Sequence, residues 1–138
     1  METEGQFSPP TAAEARDRYE ACGSTAQVLV REVAKAMGLD ADEYERRVTG
    51  DVIESARDVL FAESLQVHVG TTEEFESWHA ETDEMEVTVL GSENVERVVW
   101  HAVPFADEVV AATYHEQRDA AVGTLRRQVF GRVYREVL

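Results

Sequence analysis

Lysine is almost absent from this sequence. Lys35 is the single lysine among 13 cationic residues, the others being arginine, and 28 acidic residues give a formal net charge of −15 over 138 residues. Repulsion between so many carboxylates works against the folded state in dilute buffer. In about 1 M salt the Debye length falls to about 3 Å, so the repulsion is screened. The composition therefore predicts a protein from an extreme halophile that keeps molar salt inside its cells.

Cysteine, a basic leader and long apolar runs are also scarce or missing. Cys22 is the single cysteine, which excludes an internal disulfide framework and a zinc site built from cysteines. No apolar run approaches the ~20 residues of a membrane span. Met1 to Gln6 carry two glutamates where a secretory signal would have basic residues. We expect a cytoplasmic protein without a membrane partner.

Hydrophobic residues, in contrast, make up 43% of the chain, which is enough to form a packed core despite the charge. A chain of this length can bury about two-thirds of its unfolded surface without disulfides or metals. Pro9 and Pro10 separate the first residues from the first helical pattern. We predict an irregular N-terminal arm over residues 1–10 and a single domain over residues 11–138.

The first half of the chain has the periodicity of helices. Thr11 and Glu14 form a capping box, and the helix that starts there is predicted to end at Gly23. Further helices are predicted over residues 24–37, 40–46 and 49–64. Two of them carry apolar stripes that we expect to face the core: Ala26, Leu29, Val30, Val33 and Met37 in one, and Val52, Ile53, Ala56, Val59 and Leu60 in the other.

The second half changes to the two-residue period of β-strands. Strands are predicted over residues 65–69, 85–89, 95–103 and 109–115. A short helix is predicted to begin at Thr71 or Thr72, and Asp119 is predicted to cap a last helix over residues 120–136. This grouping predicts an α+β fold with N-terminal helices, a mainly antiparallel sheet of about four strands, and a C-terminal helix packed on one sheet face.

Three histidines, His68, His101 and His115, fall on predicted strands. If Val103 pairs with Val109 in a hairpin, His115 lies about 13 Å along its strand from the partner of His101, at about 3.3 Å per residue. Two ligands of one metal ion cannot be that far apart, and no His-x-x-x-His spacing occurs. We therefore predict no metal site and no cofactor.

The same hairpin register divides its residues between two sheet faces. One face is mixed in polarity and carries Arg97, His101 and Thr113, and His68 approaches it if its strand is adjacent. We regard these four residues as a candidate binding face on which a ligand or a second subunit packs. The alternative is the half-solvated face of an ordinary antiparallel sheet.

Arg126 falls inside the apolar arc of the last predicted helix, whereas the other arginines of that helix lie outside it. A guanidinium on a buried face needs a carboxylate or backbone carbonyls, because burying the isolated charge is very costly. One interpretation is an internal ion pair with the helix over residues 49–64, for which Asp51, Glu54 and Asp58 are the candidate partners. The other is a cleft in which Arg126 holds an anionic ligand.

Several stretches of the chain resemble a family of uncharacterised haloarchaeal proteins, a domain of unknown function of about this length. They are VREVAKAM (30–37), VTGDV (48–52), VHVG (67–70), EEF (73–75), SENV (92–95), VVWHA (98–102), PFAD (104–107) and TLRR (124–127). The resemblance implies a haloarchaeal cytoplasm. It implies no activity, cofactor or catalytic residue.

Known catalytic patterns are missing. The glycines are too widely spaced for a phosphate-binding loop, and no Gly-x-Ser-x-Gly motif occurs, so no residue is assigned a catalytic role. The sequence favours a non-catalytic binding protein that acts through protein–protein contacts, including self-association.

Two alternative functions stay open. The first is a small enzyme or ligand-binding domain that uses the sheet face around His101. The second is a DNA-binding or DNA-mimicking protein. DNA would be bound by the C-terminal arginines Arg126, Arg127, Arg132 and Arg135, and it would be mimicked by the layer of carboxylates.

Overall fold

A computed structural model describes residues 1–82, 85–92 and 94–138. In chain order its elements are β1 (Glu2–Glu4), α1 (Ala12–Ala36), α2 (Ala41–Arg47), α3 (Gly50–Ser64), β2 (Val67–Thr71), α4 (Thr72–Glu81), β3 (Glu86–Leu90), β4 (Arg97–Val103), β5 (Glu108–Tyr114) and α5 (Arg118–Arg132). Short 3-10 turns follow β4 (Pro104–Ala106) and α5 (Tyr134–Glu136). The predicted α+β fold is confirmed.

The strands form one sheet in the order β1-β2-β4-β5-β3. The pairing of β3 with β5 is parallel and the other pairings are antiparallel, so the sheet is mainly antiparallel as predicted. It has five strands rather than about four, because β1 adds to one edge. Helix α5 packs on β4 and β5, which confirms a C-terminal helix on one sheet face.

The N-terminal arm is more ordered than the sequence predicted. Glu2 to Glu4 pair with β2 as an antiparallel strand, and Phe7 forms a parallel bridge with Leu65. Gly5 makes this path possible because its φ is +85°, and a Cβ at that position would collide with the Leu65 carbonyl oxygen. The arm over residues 1–10 thus contains one short strand, and its residues 5–10 lie outside the helices and named strands.

Helix α1 continues through Gly23, where the sequence predicted a break. The cost of a glycine in a helix, about 1 kcal/mol relative to alanine, is offset here by close packing against α3. The Arg57 guanidinium lies over the Tyr19 ring at 4.3 Å and donates to the Tyr19 carbonyl. A Cβ at position 23 would lie 3.4 Å from Arg57 Cζ, an ordinary van der Waals contact, so the approach of Arg57 does not require a glycine.

Helix starts were predicted more accurately than helix ends. Thr11, Asp40 and Thr49 each cap a helix with their side chains, and Thr71 forms a complete capping box with Glu74. The start of the last helix is different: α5 begins at Arg118, so Asp119 lies inside its first turn, where its charge suits the helix dipole.

The predicted β4–β5 register is wrong by one residue. Val103 lies opposite Glu108, not Val109, and His101 lies opposite Val110. The connection is tighter than expected, because Asp107 adopts a left-handed conformation at φ +52° directly before β5. A slip of one residue moves every side chain of one strand to the other face, so the predicted composition of both sheet faces changes.

The two faces of the sheet pack against different helices. On the first face, Val99, Val103, Val110 and Ala112 join α1, α3 and α5 in the larger core, with Phe61 and the other buried residues of those helices. On the second face, Val98, Trp100, Val109 and Ala111 pack against Phe75 and Trp78 of α4. We call these the α5 face and the α4 face.

Candidate functional site

His101 lies on the α5 face and is 1% exposed. Its Nδ1–H donates to the Gln66 carbonyl at 2.5 Å, and its Nε2 accepts from the Tyr134 hydroxyl at 2.6 Å. Burial lowers the pKa of His101 to about 4 and raises that of Tyr134, so both groups are neutral. This pair ties the end of α5 to the start of β2, and no ligand reaches it from solvent.

His68 lies on the opposite face, opposite Trp100 in the β2–β4 ladder. Its ring stands 5.6 Å from that of Trp78 and 5.5 Å from that of Trp100. Its buried Nδ1 has no hydrogen-bond partner among the described residues, and neither has Trp100 Nε1. Burial lowers the pKa of His68. The imidazole therefore acts as one member of an aromatic cluster.

The four residues of the candidate binding face do not share one face. Arg97 pairs with Tyr114 in the ladder of the α5 face, and its guanidinium donates to the His115 carbonyl at 2.6 Å. Thr113 lies on the α4 face, where it lines a cleft of about 210 Å³ with Phe75, Val89 and other residues. His101 and Arg97 are thus separated from His68 and Thr113 by the thickness of the sheet, as a consequence of the register.

Arg126 is nearly buried, with 12% of its side chain exposed. Its Nε donates to the Leu65 carbonyl at 3.0 Å, and its guanidinium lies 3.5 Å from the Glu63 carboxylate. The carboxylate belongs to α3, the helix that the sequence named, but it is none of Asp51, Glu54 and Asp58. Glu63 is closer because the last turn of α3, not the first, lies beside α5.

Helix α4 carries a spacing that is typical of metal ligands, with Glu76 three residues before His79. The His79 ring stacks on Phe75 at 6.0 Å, and its Nε2 bonds to the Met85 carbonyl at 2.9 Å. Within residues 1–82, 85–92 and 94–138, no group of three or more His, Cys, Asp or Glu side chains could hold a metal ion.

The C-terminal arginines have varied local contacts. Arg132 donates to Gln128 within α5 at 3.3 Å, and the Arg135 guanidinium lies 5.2 Å from the centre of the Phe130 ring. Arg126 faces α3, as described above, and Arg127 is exposed. Because these guanidinium groups contact different parts of the protein, they do not form one continuous surface for a phosphate backbone.

A hollow of about 550 Å³ lies where the parallel strands β3 and β5 end and α5 begins. Leu90, Ala112, Tyr114 and Ala121 contribute apolar surface to it, and Thr124 contributes a hydroxyl. It is wide open, and Thr113, His115 and Glu116 also line it. The hollow could take a small molecule, but nothing in its lining selects a reaction.

The most exposed apolar surface lies on α1 and was assigned to the core by sequence reasoning. Leu29, Val33 and Met37 are 44%, 50% and 64% exposed. At four-residue spacing they continue the same side of α1 that is buried at Ala15 and Ala26. Ala34 in the last turn is buried, so the uncovered surface here is confined to the side that carries these three residues. We call these three residues the α1 stripe.

Helix α3 has a second exposed pair, Val52 and Val59, seven residues apart on one side. The sequence predicted that they face inward. In the structure the core is reached instead by Phe61, Ala62 and Leu65, on roughly the opposite side of the helix. The large aromatic residue Phe61 lies in the last turns of α3, and its position is the signal that could have shown which side of the helix faces the core.

None of the helices within residues 1–82, 85–92 and 94–138 combines the length and the apolar character needed to cross a bilayer. The sequence pattern of a family described as "Family of unknown function (DUF5809)" matches residues 6–135. Comparison with curated proteins and with solved structures gives no match.

Proposed function

We propose that this chain, which belongs to the DUF5809 family of unknown function, is a non-catalytic binding protein whose α1 stripe docks on an apolar helix of a partner protein. The observation that carries the proposal is the exposure of Leu29, Val33 and Met37 on the side of α1 that is buried elsewhere. An apolar side chain row that is exposed to solvent favours contact with another molecule, because removing apolar surface from water lowers the free energy.

The spacing of the α1 stripe favours a helix as the docking element. Side chains four residues apart on a helix form the ridges that fit between the ridges of a second helix. Three such side chains span about two turns of α1, at about 5.4 Å per turn, which is the length of contact that a short amphipathic helix makes. Met37, at the end of the stripe, has the unbranched side chain that adapts to varied partner surfaces.

The charges around the α1 stripe favour a protein over a lipid or a nucleic acid as the partner. Residues 27–54 contain seven acidic and four basic side chains, so this end of the molecule repels phosphate groups of lipids and nucleic acids. A protein helix whose apolar side is flanked by arginine or lysine fits both the stripe and its surroundings. We therefore place the partner among proteins, in agreement with the expectation from the sequence.

We also propose that the protein works in the cytoplasm of a haloarchaeon at molar salt. Every described carboxylate is at least partly exposed, so the acidic residues belong to the surface and their mutual repulsion depends on solvent screening. Lys35, the one lysine, lies on the exposed side of α1 with Glu32 at 3.3 Å. The surface is therefore suited to high salt, whereas the core has ordinary packing.

The other functions considered from the sequence have weaker support. An enzyme that uses His101 would need access to a side chain that is 1% exposed. A ligand-binding role is compatible with the open hollow beside Ala112 and Thr124, which polar and apolar residues line together. DNA binding would require phosphates to approach a surface of net charge −15.

The test of the docking surface is Val33→Glu, with Gln27→Glu as the matched control. Both variants add one negative charge to an exposed position of α1, but only Val33 belongs to the stripe. Wild type and both variants serve as baits in an extract of the host cell at about 2 M KCl. We expect an identified protein to be retained by wild type and by Gln27→Glu and to be lost from Val33→Glu.

The retained protein is then purified and titrated calorimetrically against each variant. We expect at least a tenfold loss of affinity for Val33→Glu, which is about 1.4 kcal/mol, and no change for Gln27→Glu. Because Val33 is half exposed, its melting temperature is expected to change little, so a loss of binding is not a loss of fold. Equal affinities for the two variants would refute docking on the α1 stripe.

The salt proposal has its own test. Far-UV circular dichroism is expected to show native structure in about 2 M KCl and substantial loss of it near 0.05 M, where screening is weak. A melting temperature that is the same at both salt concentrations would contradict the halophilic interpretation, and it would leave the proposed docking surface untouched.

A further inference from the structure

We infer that the edge strand β3 pairs with β3 of a second copy of this chain. The two strands run antiparallel about a two-fold axis at Thr88 and join two sheets into one ten-stranded sheet, five strands from each copy. This surface is separate from the α1 stripe, and the inference does not depend on the proposed partner protein.

The outer edge of β3 has unpaired backbone groups. β3 is the last strand in the sheet order, and no strand of residues 1–82, 85–92 or 94–138 lies beyond it. Glu86 N–H donates to the Asp107 carbonyl at 2.8 Å, and the Leu90 carbonyl faces Thr113 on β5. Because backbone directions alternate along a strand, Glu86, Thr88 and Leu90 bond towards β5. The N–H and C=O groups of Val87 and Val89 therefore point outward.

The edge strand β3 lacks the features that prevent other exposed edge strands from pairing with a second chain. Natural edge strands are protected by central charges, proline, bulges or a covering element. Residues 87–90 read Val-Thr-Val-Leu and contain none of these residues. Helix α4 packs mainly on β2 and β4, and α5 mainly on β4 and β5, so the helix layers cover β3 only in part, at Val87 and Leu90. Val89 is 47% exposed as a result.

The sequence of β3 is self-complementary, which favours a second copy as the occupant. With Thr88 on the two-fold axis, Val87 faces Val89 of the other copy in two equivalent pairs. Their outward groups exchange both backbone hydrogen bonds, which is the closely bonded pair of an antiparallel ladder. Thr88 then meets its own copy at the non-bonded position, where threonine pairs are favourable.

The same register separates the charges of the edge. Glu86 lies opposite Leu90 of the other copy, so the two Glu86 carboxylates do not face each other. The valines of the two strands meet on the α4 face, beside the cleft that Val89 lines, and this contact extends the buried apolar surface beyond the strands. Each copy carries a net charge of −15, so the pairing requires the screening of molar salt.

The experiment is sedimentation equilibrium in about 2 M KCl, with Val89→Pro as the test variant and Val89→Thr as its control. Wild type is expected at twice the 15.5 kDa chain mass. Proline removes the outward N–H of residue 89, which the monomer does not use, and a proline is tolerated at such an edge position. We expect Val89→Pro at the chain mass and at least tenfold weaker association, whereas Val89→Thr remains at twice the mass.

Amide hydrogen exchange decides whether the edge itself is the interface. In wild type the Val87 and Thr88 amides are both expected to be protected. In Val89→Pro only Thr88, which bonds to β5, is expected to keep its protection, and this also shows that the sheet is intact. A wild type at the chain mass overturns the inference. So does a wild type at twice the mass whose Val87 amide is unprotected, because the copies would then be joined elsewhere.

Discussion

Each face of the sheet carries a histidine among its packed side chains, and the polar atoms of the two rings have different surroundings. On the α5 face, His101 has a partner for each ring nitrogen, Gln66 on one side and Tyr134 on the other. On the α4 face, the buried Nδ1 of His68 has no partner within the described residues, and the ring is held by aromatic contacts with Trp78 and Trp100.

The difference follows from what covers each face. Three helices cover the α5 face, and their thickness excludes water from His101, so each polar atom there must be satisfied within the protein. A single ten-residue helix, α4, covers the other face, and His68 keeps part of its surface exposed. The α5 face therefore depends on specific hydrogen bonds, whereas the α4 face depends on apolar and aromatic area.

The same substitution at the two histidines gives the strongest test of this contrast, and the larger effect is expected at His101. His101→Phe leaves the Gln66 carbonyl and the Tyr134 hydroxyl buried without partners. Each unsatisfied group costs about 1–3 kcal/mol, so we expect a loss of about 3 kcal/mol in the free energy of unfolding. Urea denaturation at about 2 M KCl measures it. A loss below about 1 kcal/mol would show that the two bonds are dispensable.

The pH dependence of stability is the next largest expected effect. The pKa of His101 is lowered to about 4 in the folded state from about 6.5 in the unfolded state. The unfolded chain therefore binds more protons between these values. Stability from His101 is fully present above pH 6.5 and is lost as the pH falls towards 4, by about 3 kcal/mol in all.

His101→Gln isolates this contribution from that of the carboxylates. Glutamine bonds to the same two partners but does not titrate, so its stability is expected to fall less than that of wild type between pH 6.5 and 4. The half-buried His68, whose pKa is also lowered, contributes in the same direction in both proteins. Parallel stability curves for the two proteins would exclude His101 as the titrating group.

Arg126→Met tests a smaller contribution to the α5 face. The variant keeps the apolar stem but removes the hydrogen bond to the Leu65 carbonyl and the contact with Glu63. Glu63 is half exposed and is solvated in the variant, so the cost comes mainly from the carbonyl. We expect about 1–2 kcal/mol, or a fall in melting temperature of about 3–8 °C.

The control for Arg126→Met is Arg127→Met, which removes the same charge from an exposed position of α5. It is expected to change stability by less than about 0.5 kcal/mol. Equal melting temperatures for the two variants at high salt would exclude a structural role for Arg126, and its binding of small anions would then be measured.

His68→Phe is expected to have the smallest effect. The substitution removes a buried nitrogen that has no described partner and keeps an aromatic ring between Trp78 and Trp100. We expect no loss of stability, or a gain of up to about 1 kcal/mol. A destabilisation as large as that of His101→Phe would mean that His68 has a polar role, and the contrast between the faces would fail.

Local signals predicted most elements of this fold. Threonines and Asp40 with their following glutamates indicated where helices begin, because a cap requires only residues close in the sequence. Alternation indicated β2, β3, β4 and β5 for the same reason. The β1 strand was missed because it pairs with a partner 65 residues away, and three residues are too few to show a period.

The candidate site was predicted less well. The four residues proposed as one binding face were divided between two faces by a single-residue shift in the hairpin. One of the two interpretations of Arg126 named α3 as the partner helix, but the carboxylate beside it is Glu63 in the last turn. The α1 stripe was assigned to the core, since a sequence pattern is the same whether the apolar side is covered or not.

The sequence by itself determined which side of each element is apolar and that the surface is acidic, because both depend only on residue types and on the periods of helix and strand. Only the tertiary structure decided what covers each side. The left-handed Asp107 directly precedes β5 in the hairpin, and near the end of α1 Val33 and Met37 are exposed whereas Ala34 is buried. The burial of a side chain depends on the element that packs beside it, and the local sequence pattern does not determine the length or position of that element.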